Sequence, residues 1–235
     1  IGIDPGHGGT AGVCPGTGPG ATGPNAGLTE AAVNLATALA LKKYLEAEGA
    51  TIIMTRTTDA AVCLNDRSAM FVNNAVDYAI SVHHNGSAAA TNTTMAFIYC
   101  GVSLAIQGAL ASDVVQRLAV STGIPVSPNP AAYCIASDLP NCSACNGNPS
   151  NPNWATGIAG VGQANLHMVR EPELDGGIPS ILVEVSFITN ATEEAKLQNP
   201  DYLDGNGWAI YAGIADYFGF SPIPRTTSPG CPGAG

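Results

Sequence analysis

The chain has 235 residues, 46% of them hydrophobic and 11% charged, and eight Lys and Arg against eighteen Asp and Glu leave a formal charge of −10. An acidic balance of this kind argues against nucleic acid or an anionic membrane surface as partner, because both are gripped through a basic footprint. No uninterrupted apolar run reaches the roughly eighteen residues of a membrane-spanning helix, so no membrane span is expected.

Ile1 to Asp4 reads as a short strand, and residues 8–28, rich in Gly, Pro, Thr and Ala, as a long irregular loop. TEAAVNLATALALKKYLEAEG then predicts a helix with Thr29 as N-cap and Gly49 as stop. TIIMTR (51–56) predicts a strand, 64–75 a helix, and DYAISV (77–82) a second buried strand. MAFIYC (95–100) follows as a strand and 103–122 as a helix closed by Gly123. Residues 125–160 carry Pro, Asn, Gly and three cysteines without any period, and a loop so long in a compact domain is usually functional or an insertion. SILVEV (180–185) and helices near 192–198 and 206–218 complete the pattern. Strands alternating with helices predict one α/β domain over 1–220, its largely parallel sheet covered on both faces. The linker-like SPIPRTTSPGCPGAG (221–235) reads as a tail.

Seven cysteines (Cys14, Cys63, Cys100, Cys134, Cys142, Cys145 and Cys231), few lysines and much Thr, Asn and Gly suit an exported protein, where most cysteines pair. The chain begins directly in a strand-like segment, so an export signal would have been removed or left out. Seven is odd, which leaves at least one thiol free or joined to another chain, and the pairing stays open. CSAC (142–145) has no second C-x-x-C to complete a metal site, so disulfides pinning the 125–160 loop are expected instead.

In open α/β sheets ligands bind beyond the carboxyl ends of the strands. His7 follows the first strand, His83, His84 and Asn85 follow DYAISV, Glu184 lies near the end of SILVEV, and Glu30 opens the first helix. Two histidines and two glutamates could therefore converge on one rim. Imidazole and carboxylate ligate zinc, which keeps three protein ligands and an open position in catalytic sites, while a carboxylate off the metal takes a proton from water. Glycines around His7 would let the backbone turn sharply there.

Each residue also has a plainer role. His7 could be a surface residue of a Gly-rich loop, and Glu30 could complement the helix dipole. Glu184 could pair with Arg56 or Arg170 in the core. Singly these roles are the commoner ones, but they do not explain why the candidates fall at strand ends. A glutamate inside ILVEV is costly without a partner.

DPGHGG, a glutamate opening the first long helix, TR after the second strand, SVHHN and PSILVEVSFITN resemble, in that order from Ile1 to about Phe220, the zinc-dependent N-acetylmuramoyl-L-alanine amidases of the type that includes the bacterial cell-division amidases. The resemblance implies a single α/β domain with a twisted, mostly parallel sheet of about six strands flanked by helices. It implies hydrolysis of the amide between the lactyl group of N-acetylmuramic acid and L-alanine of the stem peptide in peptidoglycan. His7, Glu30 and His83 are then zinc ligands and Glu184 the catalytic glutamate. Val185 stands where the family usually has glycine, and His84 where a small residue is common. The 125–160 insert lies outside the core pattern; since an occluding segment regulates some relatives, the insert is expected to border the cleft and control access.

Two residues are candidates for substrate contact. Arg170 could bind a stem-peptide carboxylate bidentately or pair with Glu171 or Glu173, and Asn85 could orient a neighbouring ligand. The rival functions are a non-catalytic cell-wall-binding or surface structural module of the same fold, and a zinc hydrolase of another amide, such as a deacetylase. The expected location is secreted, periplasmic or wall-associated. Because an acidic chain is not drawn to an anionic wall, there is room for a wall-targeting module beyond Gly235.

Overall fold

A computed structural model describes residues 1–87, 91–99, 104–128, 156, 158–164 and 166–225. Cys100, Cys134, Cys142, Cys145, Cys231, the expected control of access by the insert and the last ten residues of the tail lie outside the described residues. Along the chain run β1 (Gly2–Pro5), α1 (Glu30–Ala47), β2 (Ile53–Met54), α2 (Leu64–Asn73), β3 (Ala79–Asn85) and β4 (Met95–Tyr99). A π-turn over Leu104–Gly108 leads into α3 (Ala109–Thr122), followed by β5 (Val161–Ala164), α4 (His167–Gly176), β6 (Ser180–Phe187), α5 (Ala191–Leu197) and α6 (Pro200–Phe218).

The six strands form one sheet in the order β2-β1-β3-β6-β4-β5. β2, β1, β3 and β6 run parallel; β4 is antiparallel to β6 and parallel to β5. The expected α/β domain with a mostly parallel sheet is thus what the chain forms, with a reversed pair at one edge. The carboxyl ends of β1, β3 and β6 share one rim. β4 brings its amino end to the same rim, because Met95 stands opposite Glu184.

Side chains alternate faces along a strand. Ile181, Val183 and Val185 of β6, with Ile80 and Val82 of β3, pack into the main core against α1, α3 and α6. Leu182 joins a smaller cluster with Phe97 and Val169 on the opposite face, which α2 and α4 cover. Glu184 and His83 have the parity of this second face, and they are register partners on adjacent strands. His84 has the opposite parity and goes under α1, fully buried. α1 follows from its Ala and Leu content and from a buried stripe through Val33, Ala38, Leu41 and Leu45. Thr29 is its N-cap but accepts no side-chain capping bond.

β5 and α4 are elements that the periodicity did not predict. VGQA is four residues with a glycine, and α4 contains Pro172, a residue that usually ends a helix. β2 is shorter than the expected 51–56 strand: past Met54 the Thr55 N–H still bonds the Ile3 carbonyl, while the Thr55 hydroxyl donates to Asp4 and Arg56 turns to the carbonyls of Pro5 and Gly6. Cys14 and Cys63 form a disulfide that fastens the 8–28 loop to the start of α2.

Candidate metal centre

His7 follows β1 in a backbone turn whose strain sits on the histidine itself: its φ is +61°, ahead of Gly8 at +115° and Gly9 at +67°. A side chain in the left-handed region is uncommon and persists only where the surroundings fix it. Two buried arginines supply that restraint. Arg67 donates to the carbonyls of Pro5 (2.8 Å) and His7 (2.6 Å). Arg56 donates to Pro5 (2.9 Å), Gly6 (2.8 Å) and Ala31 (2.8 Å), so the histidine turn is tied to the first turn of α1. Gly6 itself is required by close approach, since a Cβ there would lie 2.2 Å from the His83 ring.

Glu30, at the first position of α1, is 5% exposed and collects donors from three directions. Its Oε2 takes the Ala21 N–H at 2.9 Å and lies 3.1 Å from His7 Nε2. Its Oε1 lies 2.9 Å from His83 Nδ1 and accepts from Asn34 Nδ2 and the His84 N–H, both at 3.3 Å. Burial alone would raise this carboxyl, but the hydrogen bonds with His7 and His83, with their charges behind them, hold it well below the usual carboxylate range. Ligand atoms from His7, Glu30 and His83 all lie within 4.8 Å of one another.

Glu184 lines the same cavity, of about 190 Å³, together with Asn85, Phe97, Leu166 and Leu182. Its Oε2 is buried without a hydrogen-bond partner among the described residues. Burial first, and then the Glu30 charge, push this carboxyl well above the usual value. Two glutamates at one site are thereby driven in opposite directions, the pattern that separates a fixed anion from a proton carrier. His84 is displaced downward to about 3 by burial, and it remains a neutral imidazole.

The structure brings His7, Glu30, His83 and Glu184 to one cavity, and Asn85 to its wall, where its side-chain Oδ1 accepts from the Gly86 N–H at 2.8 Å. Arg170 is not among the residues lining that cavity: its guanidinium binds Glu171 at 2.6 Å in a partly buried pair, a pairing that charge pattern allowed. Arg56 is not the partner of Glu184, because backbone carbonyls occupy it. Sequence reasoning missed Arg67 and Asn34, and Asp4 as the buried anion behind the turn; an acid inside an otherwise apolar strand, which must find a partner, was the one signal available.

A family model described as N-acetylmuramoyl-L-alanine amidase matches residues 1–216. The chain belongs to that family. Among curated relatives, the sporulation-specific N-acetylmuramoyl-L-alanine amidase of Bacillus subtilis is 27% identical over 231 residues, covering 97% of this chain and 70% of the relative. The amidase AmiC of Neisseria meningitidis is 26% identical over 95% of this chain, which spans 53% of that protein. Among solved structures, the catalytic domain of the amidase CwlV from Bacillus (Paenibacillus) polymyxa shares the fold with a TM-score of 0.68 at 23% identity, covering 94% of this chain and 98% of that one. CwlD of Clostridioides difficile, solved in complex with the lipoprotein GerS, gives 0.69 at 20% identity over 93% of this chain and 97% of that one.

Proposed function

We propose that this chain hydrolyses, in peptidoglycan, the amide between the lactyl group of N-acetylmuramic acid and L-alanine, with zinc held by His7, Glu30 and His83 and with Glu184 moving the proton. The observation that carries this is the convergence of three ligand atoms within 4.8 Å on the rim where Glu184 presents a buried carboxylate oxygen that has no hydrogen-bond partner among the described residues. Family membership supplies the substrate.

The donor set fits the metal. Two imidazole nitrogens and one carboxylate oxygen are zinc ligands, and three of them leave the open position of a catalytic site. When bound, zinc supplies Lewis acidity, polarising a carbonyl and making water a stronger acid near neutral pH. Glu30 is kept anionic, so the site carries the negative charge that a cation needs. Glu184 takes the proton of the attacking water on its raised carboxylate and returns it to the alanine nitrogen, so that the stem peptide leaves as a neutral amine. Phe97, Leu166 and Leu182 keep that wall apolar and limit competing water around Glu184. Asn85 and Arg170 remain proposals for substrate contact, Asn85 from the cavity wall and Arg170 from its pair with Glu171.

The Cys14–Cys63 disulfide supports a secreted, periplasmic or wall-associated protein, because such bonds persist in oxidising compartments. Among the described residues no helix is long and apolar enough to cross a membrane. The chain's acidic charge supports reaching the wall through a separate targeting module.

The test is mass spectrometry of peptides released from purified peptidoglycan, with and without chelator, beside Glu184→Gln. Stem peptides beginning with L-alanine, lost with chelator and in the variant, are expected. Acetate in their place would assign a deacetylase, and retention of peptidoglycan without any product would assign a binding module.

A further inference from the structure

Resting on the metal reading above, we infer that Asn34, held in one orientation by His84, positions all three zinc ligands at once and thereby sets the metal affinity of the site. Asn34 lies one helical turn after Glu30 and is fully buried. Its Nδ2 is 3.2 Å from the Gly6 carbonyl and 3.3 Å from Glu30 Oε1, and its Oδ1 is 2.8 Å from His84 Nδ1. Gly6 directly precedes His7, and His84 directly follows His83. One amide therefore touches Glu30 itself and the chain neighbour of each histidine.

The orientation of that amide follows from donor and acceptor counting. Gly6 O and Glu30 Oε1 are both acceptors, so only the NH2 group can face them. The amide oxygen must then face His84, whose Nδ1 must carry the hydrogen. A flipped amide would set its oxygen against two acceptors. The two acceptors thus fix the orientation in which Asn34 donates to Glu30, and His84, donating to Oδ1, holds the amide there.

His84 gains little else. Its ring is buried under α1, and its Nε2 has no hydrogen-bond partner among the described residues. A buried imidazole nitrogen left bare is a stability cost that an apolar residue at this position would not carry. The bond to Asn34 is what the residue contributes in return. Without it Asn34 can turn, Glu30 Oε1 loses a fixed donor, and the carboxylate is free to rotate away from the two imidazoles.

Zinc affinity, read by competition with a chromophoric chelator on the whole chain, tests this without turnover, with thermal melts confirming that each variant is folded. Asn34→Leu and His84→Leu are each expected to weaken zinc binding by about 10–100-fold. The double variant should match Asn34→Leu within about threefold, because His84 acts only through Asn34. His84→Gln, whose amide can still donate to Asn34 Oδ1, should restore affinity to within about threefold of the parent. If Asn34→Leu does not fold, the contrast between His84→Leu and His84→Gln carries the test. Unchanged affinity in a folded His84→Leu, equal loss in His84→Gln, or losses that multiply in the double variant would overturn the positioning role alone. A parent chain that binds no zinc would overturn the metal reading and this inference with it.

Discussion

Asp4 has no exposed surface, and its carboxylate is shared by Thr55 (2.6 Å), Arg67 (2.7 Å) and Ser81 (2.7 Å). Burial works to raise it, but Arg67 and the two hydroxyls prevail and hold it below the usual carboxylate value. Arg67 in turn carries the carbonyls of Pro5 and His7, so the charge pair at the end of β1 holds the strained turn in place. Removing one partner of a buried pair leaves a bare charge, and Asp4→Asn is expected to cost about 3–5 kcal/mol in urea denaturation. Because the folded value lies below the unfolded one, this stabilisation is complete above about pH 4 and is lost as pH falls through the folded value. Denaturation midpoints between pH 6 and pH 2 should fall more steeply for the parent than for Asp4→Asn. Glu184 predicts a different balance. Its Oε2 is buried without a hydrogen-bond partner among the described residues, so Glu184→Gln should raise the melting temperature while reducing turnover by about 100–10,000-fold. Loss of both stability and turnover would mean that Glu184 supports the fold rather than the chemistry.

α6 shows how a single position decides the sign of a substitution. Gly→Ala in an exposed helix stabilises by about 1 kcal/mol. At Gly213, however, a Cβ would meet Val114 Cα of α3 at 2.4 Å, and backbone cannot step aside cheaply. Gly213→Ala should therefore destabilise by about 1–3 kcal/mol, and a rise in melting temperature would refute this packing. The disulfide is a second device at this scale. Closing a loop of this length in the unfolded chain is worth up to about 4 kcal/mol, so reduction should lower the melting temperature markedly. Elements with a strong local signal were legible: α1, α6 and the β-branched strands β3 and β6 lie where alternation and capping residues put them, although α6 starts at Pro200, six residues before the expected 206, because Asn199 caps it there. β5 and α4 were not legible, because their stability is tertiary: β5 is short and lies against β4, and α4 leans on α2 and β6 despite its proline.

At the scale of the molecule, the sheet order makes the site. Three parallel strands, β1, β3 and β6, deliver His7, His83 and Glu184 to one rim, α1 returns there to present Glu30, and the reversed β4 supplies Phe97 to the apolar wall. That His7, His83 and Glu184 come together was legible because strand ends can be found without knowing the packing, and Glu30 joins them as the residue that opens the first helix. Asn34, Arg67 and Asp4 were hidden because their meaning lies in contacts between segments far apart in sequence. The reversal of β4 also left no trace, since a buried parallel and a buried antiparallel strand share one composition. The proposed chemistry requires His7, Glu30 and His83 to act together as a metal centre, and anomalous diffraction from zinc-soaked crystals above and below the zinc edge tests this directly. The predicted result is one peak about 2.0–2.2 Å from an atom of each of the three residues, with Glu184 beside it and not bound. Zinc bound elsewhere, with His7 and His83 still hydrogen-bonded to Glu30, would contradict it.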